Sequence, residues 1–286
     1  MRFIFVKILF ILFFTLSLQG CETLKSLASS DSDSSDEYID WESKKFHEEA
    51  KKAMAAENYP RAIELFQALE SRYPFGEYAA QTQLDIAYAY YKNEDSEAAL
   101  AAAERFIKIN PTNANIDYAY YLKGLINFNR DIGFLYRYVP TDSTQRDPVK
   151  FKESYANFEE LLRRFPTSQY VDDAKQRMIA LRDYLAKYEL NVARFYMKRK
   201  AYMAAVNRAA KIVEECQAKH PAPCTPVVPY ALQIMEEGYR HLGLNDLASN
   251  SKRVYEQNYP NGAPIDIDEN ETFIEDFWDV IGLDED

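Results

Sequence analysis

Glycine is scarce in this chain, 8 residues in 286, and cysteine and histidine number three each. So few glycines argue against a Gly-rich loop that cradles phosphate, and no such motif occurs. His47, His220 and His241 are scattered, and no His/Cys/carboxylate cluster has metal-ligand spacing, so neither metal nor cofactor is expected. A nucleophile motif such as G-x-S-x-G is also missing, and the expectation is a protein that is not an enzyme. Basic excess is absent too: the formal charge is −11. Residues 22–41 hold six acids and one lysine, 265–286 hold ten acids and no base, and 42–264 balance 31 Lys and Arg against 29 Asp and Glu. With no net basic surface to neutralise phosphates, nucleic acid is excluded as a partner. Sustained period-two alternation is lacking, and abundant Ala and Tyr bias the chain towards helix.

One long apolar run is present, in "MRFIFVKILFILFFTLSLQGC", with Arg2 and Lys7 flanking it in the layout of an export signal. It ends in Leu18-Gln19-Gly20-Cys21, which resembles the lipobox of bacterial lipoprotein precursors, although Gln19 departs from the usual small or apolar residue. The resemblance implies that residues 1–20 are removed and that Cys21 is acylated. Several buried acyl chains, at about 0.8 kcal/mol per CH₂, make a durable membrane anchor. The alternative is an uncleaved transmembrane segment. Glu22 stands where the lipoprotein rule places Asp for inner-membrane retention, so the resemblance favours the inner leaflet of the outer membrane. Ser- and Asp-rich residues up to 41 read as a flexible tether spanning on the order of 25 Å.

The prolines expose a repeat. Ala50, Ala62 and Pro74 are spaced like Ala87, Ala99 and Pro111, and Ser154–Pro166 and Ala248–Pro260 repeat the second interval. A small residue on each of two antiparallel helices lets them approach closely, and Pro ends the second helix. Apolar residues recur eight and five positions before the Pro: Phe66 and Leu69, Ala103 and Phe106, Phe158 and Leu161. This is the tetratricopeptide (TPR) pattern, and it predicts an all-α superhelix of five helix-turn-helix units at 43–76, 80–113, 117–168, 186–219 and 229–262. In the fifth unit Glu236 stands where a small residue is expected. Between Gly124 and Ser154 lie 18 more residues than the repeat needs, an insertion that includes Phe134, Tyr136 and Tyr138 and reads either as a tolerated loop or as an element with a packing or binding role.

TPR units stack so that their first helices line a concave surface suited to peptides. On the predicted inner face Leu84, Tyr88 and Tyr91 recur in the second unit, and Tyr118, Tyr121, Leu125 and Phe128 in the third; Ala87 and Tyr90 mark a separate core stripe. Lys44, His47, Lys51 and Met54 occupy that face in the first. Any one tyrosine also suits core packing, but two aromatic stripes suit an extended apolar peptide. "RYPFG" (72–76) adds Tyr73 and Phe75, because Phe75 stands where the other Pro-containing stops place Thr or Asn. Cys216 and Cys224 form an even pair in an oxidising compartment; "CQAKHPAPC" either closes a disulfide or keeps two thiols.

"NYPRAIELFQALESRYPFGEYAAQTQLDIAYAYYKN", "RDPVKFKESYANFEELLRRFPTSQYVDDAK" and "RDYLAKYELNVARFY" resemble the BamD family, TPR lipoproteins of the outer-membrane β-barrel assembly (BAM) machinery, over roughly 42–258. The resemblance implies a scaffold without catalysis, facing the periplasm. Its N-terminal units (42–168) would read the C-terminal signal of unfolded barrel precursors, with Tyr73 on the substrate side. Its C-terminal units (169–262) would dock on the POTRA domain of BamA through Arg208, alongside the other BAM lipoproteins. The acidic tail 263–286 departs from better-known members, and "ETFIEDFWDVI" (271–281) reads either as a short amphipathic helix or as a solubilising tail. A different reading is a general periplasmic TPR adaptor for cell-wall or division enzymes.

Overall fold

The computed structural model describes residues 38–129, 148–218 and 224–263. The export signal, the acylation expected at Cys21, the aromatics of the insertion and the tail helix at 271–281 lie outside the described residues. Among the described residues there are ten helices and no strand. They run as α1 (Ser43–Ala55), α2 (Tyr59–Arg72), α3 (Ala79–Lys92), α4 (Ser96–Ile109), α5 (Ile116–Asn129), α6 (Val149–Arg164), α7 (Val171–Lys198), α8 (Tyr202–Ala218), α9 (Val228–His241) and α10 (Asn245–Asn258). Each helix packs mainly on its neighbours in the chain. The result is a TPR solenoid of five helix pairs.

The small residues do what their spacing demands. Ala50, Ala62, Ala87, Ala99 and Ser154 are fully buried where the paired helices touch, and Phe46, Phe66, Phe106 and Phe158 fill the space between them. Gly124 is the small residue of α5: a Cβ there would lie 2.3 Å from Cε1 of Phe158. The Ser154 hydroxyl also donates to the Gly124 carbonyl at 2.9 Å.

Two recurring turns set the geometry. Inside four of the repeats the first helix ends on a left-handed residue, Glu57, Glu94, Lys200 or Gly243. In the first two the next residue caps the second helix, with the Asn58 and Asp95 side chains accepting from the backbone N–H groups of Arg61 and Ala98. The second turn follows the second helix at Tyr73–Gly76, Asn110–Asn113, Phe165–Ser168 and Tyr259–Gly262. In each the fourth N–H donates to the first carbonyl at 3.0 or 3.1 Å. Pro occupies the second position every time, where its fixed φ favours the turn and its missing N–H ends the helix.

The structure corrects one expectation. The helix that opens the fourth unit starts at Val171, ahead of the expected residue 186, and α7 is a single helix of 28 residues. No Gly or Pro interrupts it. Its first half packs Ala174, Met178, Leu181 and Tyr184 against α5 and α6, and its second half packs Ala186, Leu190 and Ala193 against α8 and α9. In the fifth unit Gly238 makes a different close approach, to α8 of the preceding unit: a Cβ there would meet Val206 Cγ2 at 2.5 Å.

Candidate functional site

The first helices of successive repeats touch one another side by side and form a continuous inner strip. At its start Asp85 of α3, 7% exposed, faces Lys51 at 3.5 Å and His47 at 3.9 Å, both on α1. Gln81 donates to the same carboxylate at 2.9 Å, and the His47 ring stacks on Tyr78. The charge of a buried carboxylate is thus met from two elements. Asp85 went unnoticed in the sequence, where its signal was a lone acid between Leu84 and Ile86.

The strip continues in tyrosine. Tyr88 and Tyr91 lie ring to ring on α3, and the Asn129 side-chain amide of α5 donates to the Tyr91 hydroxyl. Tyr118 reaches both Tyr121 and Tyr170, and Tyr121 stacks on Tyr170 at 4.7 Å. The Tyr121 hydroxyl donates to Asp173 at 2.6 Å, and Arg177 grips that carboxylate from one turn further along α7. Arg177 also lies over the Phe128 ring. Burial raises the Tyr118 hydroxyl far above the ordinary tyrosine range. For Tyr121 burial acts together with the bond to Asp173. Tyr170, Asp173 and Arg177 were also missed; Asp173 and Arg177 stand four apart, the spacing of a helical ion pair.

The residues expected to form one groove separate into three settings. Tyr88, Tyr91 and Tyr118 are half-buried on the strip. Leu84, Tyr121 and Phe128 belong to the core: α3 and α5 are flanked by helices on both sides, so part of each presumed inner stripe faces a neighbour. They support the strip from beneath instead of presenting a surface. Tyr73 and Phe75 stand apart. Tyr73 packs beside Phe46 and donates its hydroxyl to the Trp41 carbonyl at 2.9 Å. Phe75 is 98% exposed, on a cleft of about 770 Å³ whose other walls include Gln67 of α2 and Arg105 and Ile109 of α4.

Arg208 lies on α8, a second helix, outside the strip. Its guanidinium donates to Glu189 of α7 at 2.8 Å, and Lys211 donates to the other oxygen at 2.7 Å. Burial pushes the Glu189 carboxyl up, but the bonds from Lys211 and Arg208 outweigh it and hold the group below the usual carboxylate range. Cys216 and Cys224 face each other with Cα atoms 5.2 Å apart, inside the span that a disulfide bridges. No group of three His, Cys, Asp or Glu among the described residues is placed to hold a metal ion. No helix among them is long and apolar enough to cross a membrane.

Comparison with known proteins agrees with this architecture. The model of the family described as YfiO, outer membrane lipoprotein, matches residues 39–254. The outer membrane protein assembly factor BamD of Neisseria meningitidis (strain DSM 15465 / Z2491) is 46% identical over 221 residues, 77% of this chain and 80% of that one. The protein of the same name from Vibrio cholerae is 41% identical over 212 residues, 74% of this chain and 86% of its own length. Among solved structures the MamA protein is similar with a TM-score of 0.30 and 15% identity, over 79% of this chain and 96% of that one, a likeness that carries no argument. A TPR solenoid, a family match over most of the chain and relatives this similar lead to one conclusion: the chain belongs to the YfiO family of outer membrane lipoproteins, and its relatives from Neisseria meningitidis and Vibrio cholerae are outer membrane protein assembly factors BamD.

Proposed function

We propose that the chain is a non-enzymatic scaffold of the BAM complex, anchored by lipid on Cys21 at the periplasmic face of the outer membrane. Its inner strip receives unfolded barrel precursors, and its C-terminal repeats dock on the POTRA domain of BamA and gather the other BAM lipoproteins. Outer membrane protein assembly rests on family membership. The substrate role rests on one observation above all: Tyr88, Tyr91 and Tyr118 lie half-buried along adjoining first helices. Tyrosine offers a large contact area with few rotors to freeze, which suits an extended aromatic-ending peptide. The buried Leu84, Tyr121 and Phe128 hold these rings in place, so little is lost in ordering them. Arg208 serves docking with the 43% of its side chain that Glu189 leaves open to solvent.

Photo-crosslinkers placed at Tyr88 and Tyr118 of the purified full chain, offered a peptide from the C-terminus of a barrel precursor, test the substrate role. Adducts are expected there and not from Lys252 on α10. Equal labelling at all three positions refutes the strip as the receiving surface. Capture from membranes tests the partner: recovery of cell-wall enzymes in place of BamA supports the general adaptor and overturns this reading.

A further inference from the structure

We propose that the repeat-turn edge nearest the N-terminus is a lipid-contact surface: Phe75, with Ile109 beside it, rests in the membrane leaflet and sets how the solenoid stands on it.

The four inter-repeat turns supply an internal control. All close the same hydrogen bond and carry Pro at the second position, so the third position has the same geometry in each. It holds Thr112, Thr167 and Asn261 in three of them and Phe75 in the first. The turn therefore does not require an apolar side chain there. Nor does the core use it, since the Phe75 ring is 98% exposed. The turn fixes the backbone that carries it: Pro74 precedes it and the Gly76 N–H donates to the Tyr73 carbonyl at 3.1 Å.

An apolar neighbour lies on the same edge. Ile109, 54% exposed, lines the same cleft. Ile39, 62% exposed, belongs to the segment that Arg72 and Tyr73 hold through the Tyr38 and Trp41 carbonyls. Exposed apolar side chains gathered on one cleft, as Phe75 and Ile109 are, mark a contact surface where a single one would not.

The choice of a lipid surface follows from where the chain enters. Residues 38–41, held through the Tyr38 and Trp41 carbonyls by Arg72 and Tyr73, bring the N-terminal segment to the end of α2. The residue expected to carry the acyl chains, Cys21, is 17 positions upstream of Tyr38. The edge mixes Arg72, Arg105 and Lys108 with Glu70 and Glu77, so contact depends on apolar insertion and should survive high salt. The acyl anchor already supplies affinity; the edge supplies orientation, leaving the tyrosine strip clear of the bilayer. This inference rests on the lipid-anchored reading, and the test separates the two.

The full-length Phe75→Trp chain is bound to vesicles of phosphatidylethanolamine and phosphatidylglycerol containing lipids brominated on their acyl chains. The parent chain, which keeps Trp41 and Trp278, gives the background to subtract. Flotation reports the anchor, and quenching reports the contact. In parallel, residues 22–286 are held by an N-terminal His-tag on nickel-chelating lipid, so that contact is read even where acylation fails. The added tryptophan should shift to shorter wavelength and be quenched severalfold more than one at Asn261→Trp, unchanged by salt. Floating or tethered protein whose added tryptophan stays unshifted and unquenched overturns the proposal. So does a shift produced by a barrel-precursor peptide without lipid and absent with vesicles, which makes Phe75 a precursor contact.

Discussion

Arg208→Glu is the obvious test of docking, and the structure says that it will also disturb the fold. Glu189 is 3% exposed and depends on Arg208 and Lys211 for its hydrogen bonds. Stripping a buried charge of its partner typically costs about 3–5 kcal/mol. Here Lys211 remains and the Arg208 side chain is 43% exposed, so solvent screens its share, and Arg208→Gln should cost nearer ~1 kcal/mol. Charge reversal adds repulsion that the new side chain relieves in part by swinging outward, for a total of about 2–3 kcal/mol. Urea unfolding of the two variants and the parent at neutral pH measures this. The pH dependence carries the sign. Because the folded-state Glu189 carboxyl is held below its unfolded value, its contribution is present above about pH 4.5 and is lost as pH falls through the folded pKa. The gap between parent and variants should therefore close in acid. Unfolding midpoints for Arg208→Glu and parent that coincide at neutral pH would refute the argument. If the gap appears, lost capture of BamA by Arg208→Glu reports folding as much as contact, and Arg208→Gln becomes the cleaner probe.

Three further outcomes follow from the packing. Gly124→Ala drives a methyl group to 2.3 Å from the buried Phe158 ring, so a destabilisation of about 3 kcal/mol is expected in urea melts, whereas a neutral result means that the α5–α6 contact is looser than described. The raised Tyr118 and Tyr121 hydroxyls keep these rings neutral in the folded chain; their contribution is complete below the unfolded pKa of about 10 and declines as pH rises above it. Absorbance titration should show both ionising only together with loss of helix by circular dichroism. Finally, if Cys216 and Cys224 are bonded, a thiol probe will leave unreduced protein unlabelled and reduction will cost about 2.5 kcal/mol at most; labelling without reduction assigns free thiols.

Much of the architecture was legible because it is local. Ala50, Ala62 and Pro74 announce two helices and a stop through spacing alone, since close approach needs a small side chain and Pro cannot continue a helix. Where punctuation was missing the reading fell short: no Gly or Pro interrupts α7 between Val171 and Lys198, so one helix that serves two repeats could not be told from two. The inner face was legible as a stripe but not in depth. Leu84 and Tyr88 are neighbours on one turn, yet one is core and the other half-exposed, because the adjoining first helices decide how far each is covered. Phe75 was read as apolar at a polar position, which was sound; its separation from Tyr88 and Tyr118 depends on how α2 and α4 wall its cleft.

The sequence by itself determined the repeat, the helix pairs, the turn chemistry and the near-neutral body between acidic ends, all set by residues close in the chain or by composition. Tertiary structure alone decided which tyrosines remain available, that Asp85 is met by Lys51 and His47, that Glu189 holds Arg208, and that one long helix serves two cores. The physical reason is that burial and charge pairing belong to pairs of helices. Helical period names the face of a residue, but only the neighbour packed against that face decides whether it meets solvent, a partner or the core.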